Sequence, residues 1–333
     1  MQQSRHIVGL TARYSLANSS RRLCSSHARE LLPQLASLAD TRGVVRLSGH
    51  GLIDFLQGLL TNDVKRLVAR EAPAQYAAIL NSHGRHLHDL FLHRQPEDEV
   101  VLLADVDKQG LSDFVKLLNR YKLRAKVDIA DVSSEYTTWA RFGPGLMPEG
   151  EWKSDPRLAA LGQRTVLPAQ SKPTSPSGEP ETEGIEYKAW RIEHGVAEGD
   201  TEMPSGHGIP LEYNLDGLNA ISFTKGCYVG QELIARSHFR GVVRKRLMPV
   251  QLGGDGEVGK VGDSILAAGM RKRPAGTLQA LHKGRGLACL NLQAASQAAQ
   301  GQQELELGEG GPTVTPWRPT WWPTDWGEEQ PAS

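Results

Sequence analysis

Apolar residues recur along the chain with two different periods, which predict helices in some stretches and strands in others. Three stretches have the helical period, namely 51–60, 107–121 and 185–194, and Gly195 ends the last of them. In the second, apolar side chains lie on one side and charged ones on the other, as is typical of a helix that packs on a core. Short apolar runs bounded by turn residues predict strands at 43–47, 75–80, 87–93, 100–104, 125–132 and 135–142.

The C-terminal third has only the short-strand pattern. Strands are predicted at 247–252, 264–268, 277–281 and 286–292, separated by turns rich in Gly and Pro, and this series indicates a small β-barrel or sandwich. The whole order predicts the α+β class, with antiparallel sheets and helices followed by a small C-terminal β-barrel. Large aromatic side chains then follow among prolines and are expected to dock on the protein or a partner: Trp317, Trp321, Trp322 and Trp326.

Length and composition are typical of a globular protein with two domains. The chain has 333 residues, 39% of them hydrophobic, and a formal net charge of zero, so it can bury a sizeable core and gives no reason to expect nucleic acid. No run of eighteen apolar residues occurs, so we expect no membrane span. We place the first domain at 30–246, with a flexible excursion at about 171–183, and the barrel with a Trp/Pro-rich tail at 247–333.

The first 29 residues differ in composition from the rest of the chain. They contain five arginines, six serines and no acidic residue, and this composition stops at Glu30. It predicts a transit peptide at 1–29, and Arg22-Leu23-Cys24-Ser25 resembles a mitochondrial processing site. We therefore expect the mitochondrial matrix as the location. The serine content leaves a plastid address as the alternative, and a disordered basic tail is a third interpretation.

Chemistry-bearing residues are densest at 223–246. Cys227 lies between Lys225 and a predicted helix, and a thiolate is stabilised at a helix N-terminus beside a cation. Such a thiol can act as a nucleophile or bind metal. The basic residues from Arg236 to Arg246, interpreted as a strand-like tail, suit an anionic ligand or partner. The alternative is that Cys227 is a buried small hydrophobe and the charges form a solvated face.

Three cysteines limit the metal chemistry available to one chain. Cys24 would leave with the transit peptide, so Cys227 and Cys289 remain, and no disulfide framework or zinc finger can be built from two. Iron-sulfur clusters usually need four protein ligands, mostly cysteines. A cluster ligated by Cys227 would therefore be shared with another protein. Cys289 falls in an apolar strand and is expected to be a core residue.

The stretch around Cys227 carries a resemblance to a known family. Lys225-Gly226-Cys227-Tyr228-Val229-Gly230-Gln231-Glu232 resembles the signature of the YgfZ-like folate-binding proteins, relatives of the glycine-cleavage aminomethyltransferase GcvT. The flanks 210–216 and 235–247 are similar to the mitochondrial branch of that family, the factors that mature 4Fe–4S proteins. The resemblance covers about residues 40–295 and implies a GcvT-like folate-binding domain that a small barrel follows.

The resemblance implies two carboxylates in a tetrahydrofolate site. The stretch 81–90 is similar to an aminomethyltransferase segment that ends in paired aspartates, one of which contacts the reactive edge of folate. Here the pair is His88-Asp89, and the single acid argues against ordinary one-carbon transfer. Glu193 corresponds to a family glutamate that hydrogen-bonds the pterin ring, for which a surface salt bridge with Arg191 or a neighbour is the alternative. We expect Asp89 and Glu193 to meet across a central cavity.

Four further residues complete the implied folate-binding set. Asp63 lies in a stretch that borders the folate pocket in the family, and its alternative role is to cap a helix or turn. Tyr228 belongs to the signature itself. Lys225 or Arg236 would lie nearer the rim of the pocket.

The function that the resemblance implies is assembly of mitochondrial 4Fe–4S proteins. In this interpretation the chain binds tetrahydrofolate, works with A-type iron-sulfur carrier proteins and uses Cys227 as the catalytic cysteine, or as one ligand of a shared cluster. The alternative is a tetrahydrofolate-dependent one-carbon transferase of the aminomethyltransferase type. A scaffold that binds no ligand is a third class.

Overall fold

A computed structural model describes residues 32–70, 72–96, 99–147, 149–254, 258–267 and 274–326. The transit peptide that the sequence predicts at 1–29 lies outside these residues. The elements of the described part are, in chain order, β1 (Gln34–Ser37), β2 (Arg42–Ser48), α1 (Leu52–Leu59), α2 (Val64–Val68), β3 (Gln75–Leu80), β4 (His86–Arg94), β5 (Leu102–Asp107), α3 (Leu111–Lys122), β6 (Asp128–Asp131), β7 (Tyr136–Phe142), β8 (Lys153–Ser154), β9 (Gln163–Pro168), β10 (Glu181–Thr182), α4 (Gly184–Glu193), α5 (Gln231–Arg240), β11 (Lys245–Leu252), β12 (Ser264–Ala267), β13 (Gly276–His282), β14 (Arg285–Asn291), α6 (Leu292–Ala299), β15 (Leu305–Leu307) and β16 (Val314–Pro316).

The first sheet is antiparallel and has the strand order β3-β4-β5-β2-β6. Helices α1 and α3 pack on it because their apolar residues recur at helical spacing: Leu52, Leu56, Phe114 and Leu118 are at most 1% exposed. They share one core with the inward residues of β2, β3, β4 and β5. The helices predicted at 51–60 and 107–121 and the strands from 43 to 104 are therefore confirmed as elements, with ends that differ by a few residues.

The second sheet has the order β10-β1-β7-β9-β8, and its β1–β10 pair is parallel. Only β7 follows from the hydrophobic pattern. Strands β8 and β10 have two residues each, and β9 buries the polar Gln163 and Arg164, so none of them shows an apolar run. In the segment 171–183, Glu179 is buried against Arg141 and accepts a hydrogen bond from its Nε at 2.9 Å. This contact ties the segment to β7, and the flexibility expected for it stays a prediction.

The third sheet contains strands β11 to β16, in the spatial order β15-β12-β13-β14-β11-β16. A bridge between Glu306 and Thr313 brings its two edges together and nearly closes the barrel, which confirms the small C-terminal β-barrel. The Ala- and Gln-rich stretch after β14 forms α6, because alanine favours helix and the Asn291 side chain caps its first turn. The tryptophan tail docks on the protein, since Trp322 is buried and Trp321 Nε1 donates to the carbonyl oxygen of His194 at 2.8 Å.

One local expectation is wrong. The basic stretch from Arg236 to Arg246 is not a strand-like tail, because α5 continues to Arg240 and only Lys245 and Arg246 belong to β11. Residues 231–240 contain no Pro or Gly, whereas Gly241 follows as the C-cap and ends the helix. Among the described helices, none has both the length and the apolar character that a transmembrane segment requires.

Candidate functional site

Cys227 lies on an exposed loop between the core and α5. Its side chain is exposed to solvent, and the adjacent Gly226 is exposed as well. The loop ends at Gly230, the N-cap of α5, which has a φ of 82°. A Cβ at Gly230 would come within 2.5 Å of the carbonyl oxygen of Asn81. Glycine is therefore required there, because the loop packs closely against the turn between β3 and β4 and needs a left-handed backbone.

The Lys225 side chain points inward, whereas the sequence suggests a cation beside the Cys227 thiol or at the rim of a folate pocket. Its Nζ donates hydrogen bonds to the carbonyl oxygens of Gln57 and Leu60, each at 2.7 Å, and of Asn62 at 2.9 Å. Burial lowers the pKa of Lys225 to about 8, although Asp63 opposes this. The ammonium is thus engaged by the connection between α1 and α2. Tyr228 and Val229 separate Cys227 from Gly230, the N-cap of α5.

Tyr228 and Asp63 have structural partners. Tyr228 is buried in the core, and this burial raises its pKa to about 12. The ring lies over the Lys225 ammonium, with Nζ 5.2 Å from the ring centroid. Asp63 is the N-cap of α2, where Oδ1 accepts from the Lys65 amide at 3.1 Å and from Gln57 Nε2 at 2.9 Å. Asp63 therefore has the capping role that was the alternative to folate binding.

The basic residues near Cys227 fall into two groups. Arg236, Arg240 and Arg244 are exposed. Arg246 is buried, bonds Asp216 at 3.0 Å and has its guanidinium carbon 3.2 Å from the ring centroid of Trp326. Arg246 is therefore not part of an exposed basic edge, because the barrel and the C-terminal tail cover it.

Asp89 is enclosed in the first sheet, where its two oxygens have separate donors. Oδ2 accepts from the Tyr76 hydroxyl at 3.1 Å and Oδ1 from the Gly199 amide at 3.1 Å. Burial, and then Asp89, raise the pKa of Tyr76 well above its ordinary value. Asp89 is 1% exposed, so the carboxylate is not open to solvent.

Two side chains near Asp89 or one of its contacts in the chain, His86 and Asp200, have unsatisfied polar atoms. His86 is fully buried, and neither of its ring nitrogens has a partner with good hydrogen-bond geometry. Burial lowers its pKa, although Asp89, Asp200 and the backbone of Met203 oppose this. His88 Nδ1 lies 3.2 Å from Asp200 Oδ2, whereas the buried Asp200 Oδ1 has no partner. Buried polar atoms without partners are costly unless a water or a ligand satisfies them.

Glu193 lies elsewhere. Its side chain is 41% exposed and forms an ion pair with Arg285 of the barrel, so it has the surface salt bridge that was the alternative to pterin binding, though with a different partner. Arg191 instead points inward to Glu202, with Nη1 2.8 Å from Oε2. The structure therefore does not bring Glu193 together with Asp89 through any shared hydrogen-bond partner among the described residues.

A buried arginine cluster is the largest polar feature that sequence reasoning missed. The carboxylate of Glu198 lies 2.8 Å from Arg157, 3.1 Å from Arg164, 3.7 Å from Arg42 and 3.8 Å from Arg191. Burial alone would raise the pKa of Glu198, but these four arginines hold it well below its ordinary value. The sequence gives little sign of this cluster, because the residues next to each arginine and to Glu198 do not mark the position as buried. The partners of each charge are also far away in the sequence.

The arginine cluster also has a second anchor and an aromatic neighbour. Asp105 bonds Arg42 and Arg164, each at 2.6 Å. The guanidinium carbon of Arg164 lies 4.0 Å from the ring centroid of Phe91, and that of Arg157 lies 4.6 Å from it. The faces of the aromatic core are thus occupied by the protein's own cations.

A cavity of about 640 Å³ borders the arginine cluster, which is within the size range of small-molecule sites. Arg191, Glu198 and Glu202 line its buried part, and Lys188 lines it as well. None of the six folate contacts implied by the sequence lines this cavity. Of the six, only Asp89 lies near a buried side chain with unsatisfied polar atoms, His86.

The two described cysteines differ in environment. Burial, then Glu212, raise the pKa of Cys289 to about 12, although Lys245 opposes this, and the residue lies in β14 as a partly buried side chain. Cys227 is exposed. Within the described ranges no three His, Cys, Asp or Glu side chains are grouped so that they could hold a metal ion.

Known proteins resemble this chain in both sequence and fold. Residues 244–324 match the family described as CAF17, C-terminal beta-barrel domain. The solved structure of glycine cleavage system aminomethyltransferase T from Bartonella henselae superposes with a TM-score of 0.62, covering 87% of this chain and 86% of that one at 12% identity. At this identity the likeness shows the fold alone, and it confirms the GcvT-like fold.

Sequence relatives show the family. The iron-sulfur cluster assembly factor IBA57 homolog, mitochondrial, of Mycosarcoma maydis is 36% identical over 85% of this chain and 84% of its own length. The iron-sulfur cluster assembly factor IBA57, mitochondrial, of Mus musculus is 34% identical over 86% of this chain and 84% of its own length. Because the likeness spans nearly the whole of each relative, this chain belongs to the IBA57 family of mitochondrial iron-sulfur cluster assembly factors.

Proposed function

We propose that this chain matures 4Fe–4S proteins in the mitochondrial matrix by sharing a cluster with an A-type carrier protein through Cys227. The observation that carries the proposal is the exposure of Cys227 on a loop fixed by Lys225 and Gly230. A thiolate held at a surface can ligate iron that a partner presents, whereas Cys289 is partly buried in the barrel. The remaining ligands must come from the carrier or from a small thiol, because a cluster usually needs four.

The relatives support the location as well as the pathway. Both are named mitochondrial, which agrees with the arginine-rich, acid-free composition of residues 1–29. The plastid address, the alternative that the sequence left open, has no support from these relatives.

Cys227→Ser tests this function, with Cys289→Ser as the matched control. Each variant is mixed with a carrier loaded with an iron-sulfur cluster, and visible absorbance and complex size are followed. Serine removes the soft sulfur ligand and nearly preserves the side-chain volume. We expect the coloured complex to be lost with Cys227→Ser and retained with Cys289→Ser. Survival of the complex in Cys227→Ser would contradict the proposed role of this thiol.

We also propose that the chain binds tetrahydrofolate beside Asp89. The support is the group of unsatisfied buried atoms there, namely both ring nitrogens of His86 and Asp200 Oδ1. Bound tetrahydrofolate would supply the donors and acceptors of its pterin ring to such groups. Calorimetry with tetrahydrofolate tests this, since Asp89→Asn should weaken binding at least tenfold whereas Glu193→Gln should leave it unchanged. Equal affinities for wild type and Asp89→Asn would contradict the assignment.

One-carbon transfer of the aminomethyltransferase type is the second candidate, and the geometry disfavours it. A proton acceptor must reach the reacting nitrogen, whereas Asp89 is 1% exposed and each of its oxygens already accepts one hydrogen bond. The position before it holds His88, which is engaged by Asp200. An assay for folate-dependent methylamine transfer separates the two functions, and we expect no activity above background.

A further inference from the structure

The C-terminal half of α5 and the residues after it form an exposed apolar and basic surface, which we call the α5 rim. It consists of Phe239 and Val242 with Arg236, Arg240 and Arg244. We propose that the α5 rim is the surface on which the cluster-sharing partner docks, and that this partner presents an acidic face around an exposed apolar patch. This inference rests on the proposed function, because it assigns the contact surface for the partner that meets Cys227.

The apolar part of the α5 rim is exposed to solvent. Phe239 is 66% exposed and Val242 is 64% exposed, and the two residues are three positions apart in the sequence. Ile234 of the same helix is fully buried, so α5 is anchored by one side while its C-terminal end faces solvent. Neighbouring exposed apolar side chains of this size are typical of a protein interaction site.

The basic part of the α5 rim has one acidic neighbour on its own helix, Glu232, in the first turn of α5. No acidic residue occurs between Glu232 and Asp255 in the sequence, and Arg236, Arg240 and Arg244 are all exposed. Among the described residues these three arginines have no ion pair. Arginine beside aromatic side chains is the composition found at the centres of protein interfaces. The charge complement of this surface is an acidic partner face.

Aromatic side chains of the α5 rim and of its helix pack against the loop that carries Cys227. The ring of His238 stacks on Phe223, with centroids 3.7 Å apart and planes 14° from parallel. Phe239 contacts both rings edge-on, at 5.9 Å from Phe223 and 4.8 Å from His238. Phe223 belongs to the loop that contains Cys227 and packs on the core. A partner seated on the α5 rim would therefore meet a surface whose position relative to the thiol loop is fixed.

Affinity measurements with a purified A-type carrier loaded with an iron-sulfur cluster test the proposal. One variant, Phe239→Ser with Val242→Ser, removes the apolar patch, and a second, Arg240→Glu with Arg244→Glu, reverses the charge. We expect each to weaken binding at least tenfold. The loss in the charge variant should shrink as salt rises, because ions screen exposed charges, whereas the loss in the apolar variant should persist.

Two controls separate the α5 rim from a general surface effect. Leu123→Ser removes an exposed leucine after α3, and Lys116→Glu reverses an exposed charge on that helix. Both should bind within twofold of wild type, and circular dichroism should show that all variants are folded. If the two α5 rim variants also bind within twofold of wild type, the docking assignment is wrong.

The remaining outcomes are also decisive. If the wild-type chain forms no complex with the carrier, the proposed function itself fails, which differs visibly from a wild-type complex that the variants leave unchanged. A basic surface with a phenylalanine could instead bind a lipid membrane. Co-sedimentation with anionic phospholipid vesicles tests this, and vesicle binding that depends on Phe239 while carrier affinity does not would overturn the proposal.

Discussion

Replacement of Lys225 by methionine tests whether this residue fixes the loop that carries Cys227. Its ammonium donates to three backbone carbonyls between α1 and α2. A hydrogen bond to a charged group contributes about 1.5–3 kcal/mol, and removal of one partner from a buried charged network costs roughly 3–5 kcal/mol. Burial opposes this gain, as the lowered pKa of Lys225 shows. We expect Lys225→Met to reduce the free energy of unfolding by about 3 kcal/mol at pH 7.

The pH dependence gives this prediction a second readout. The folded protein releases the Lys225 proton at about pH 8, and the unfolded chain does so near the ordinary pKa of 10.5. Between these values the unfolded chain binds more protons, so the contribution of Lys225 to stability rises with pH in that window. The stability difference between wild type and Lys225→Met should therefore widen from pH 8 upward.

Urea unfolding at several pH values measures both effects, provided that the slope with denaturant is the same in each protein. Lys245→Met is the control, because Lys245 is an exposed lysine of β11 and its replacement should change stability by less than about 0.5 kcal/mol. A loss below about 1 kcal/mol for Lys225→Met, independent of pH, would refute the reasoning that the three carbonyls hold the Lys225 amino group and that its burial lowers its pKa.

Three further outcomes follow from buried groups. Glu198→Ala should reduce the free energy of unfolding, measured with urea, by about 4 kcal/mol, because four arginines lose their shared carboxylate. In the wild type the arginines hold the pKa of Glu198 well below its ordinary value. This contribution to stability is therefore lost only as the pH falls below the range in which a glutamate ordinarily titrates. Maleimide at pH 8 should label Cys227 quickly and Cys289 slowly, as peptide mapping would show, because burial raises the pKa of Cys289 to about 12. Arg246→Met should cost about 3 kcal/mol and change the tryptophan fluorescence, because the Asp216 pair and the Trp326 contact are both lost; unchanged fluorescence would contradict this.

Elements that bury one face could be predicted from the sequence, because burial of a face imposes a period on neighbouring residues. Helices α1 and α3 show this clearly. Strand β9 shows the limit, since its Arg164 is 1% exposed yet looks like a surface residue. The carboxylates that make its burial tolerable lie 59 and 34 positions away, in Asp105 and Glu198. A charge whose partners are that distant in sequence carries no local sign that it is buried.

Positions in the site could be predicted better than side-chain directions. The sequence placed Cys227, Lys225 and the start of a helix close together, and the structure does place them within one loop. It could not show that the ammonium turns toward α1, because three carbonyls of an irregular connection attract it and no side-chain pattern marks such acceptors. The sequence likewise contains no sign of where the Glu193 side chain points, because its partner, Arg285 of the barrel, is distant in the sequence.

The signature around Cys227 is therefore largely a structural device for presenting one thiol. Lys225 fastens the loop to the connection between α1 and α2, and Tyr228 fills the core beneath it. Gly230 allows the loop to approach the turn at Asn81 before α5 begins. Each of these residues fixes backbone position and faces away from solvent or has no side chain, whereas Cys227 alone among them presents a reactive group outward. This arrangement suits the shared cluster ligand that we propose Cys227 to be, because a thiol held in place loses little conformational freedom when a partner supplies the remaining ligands.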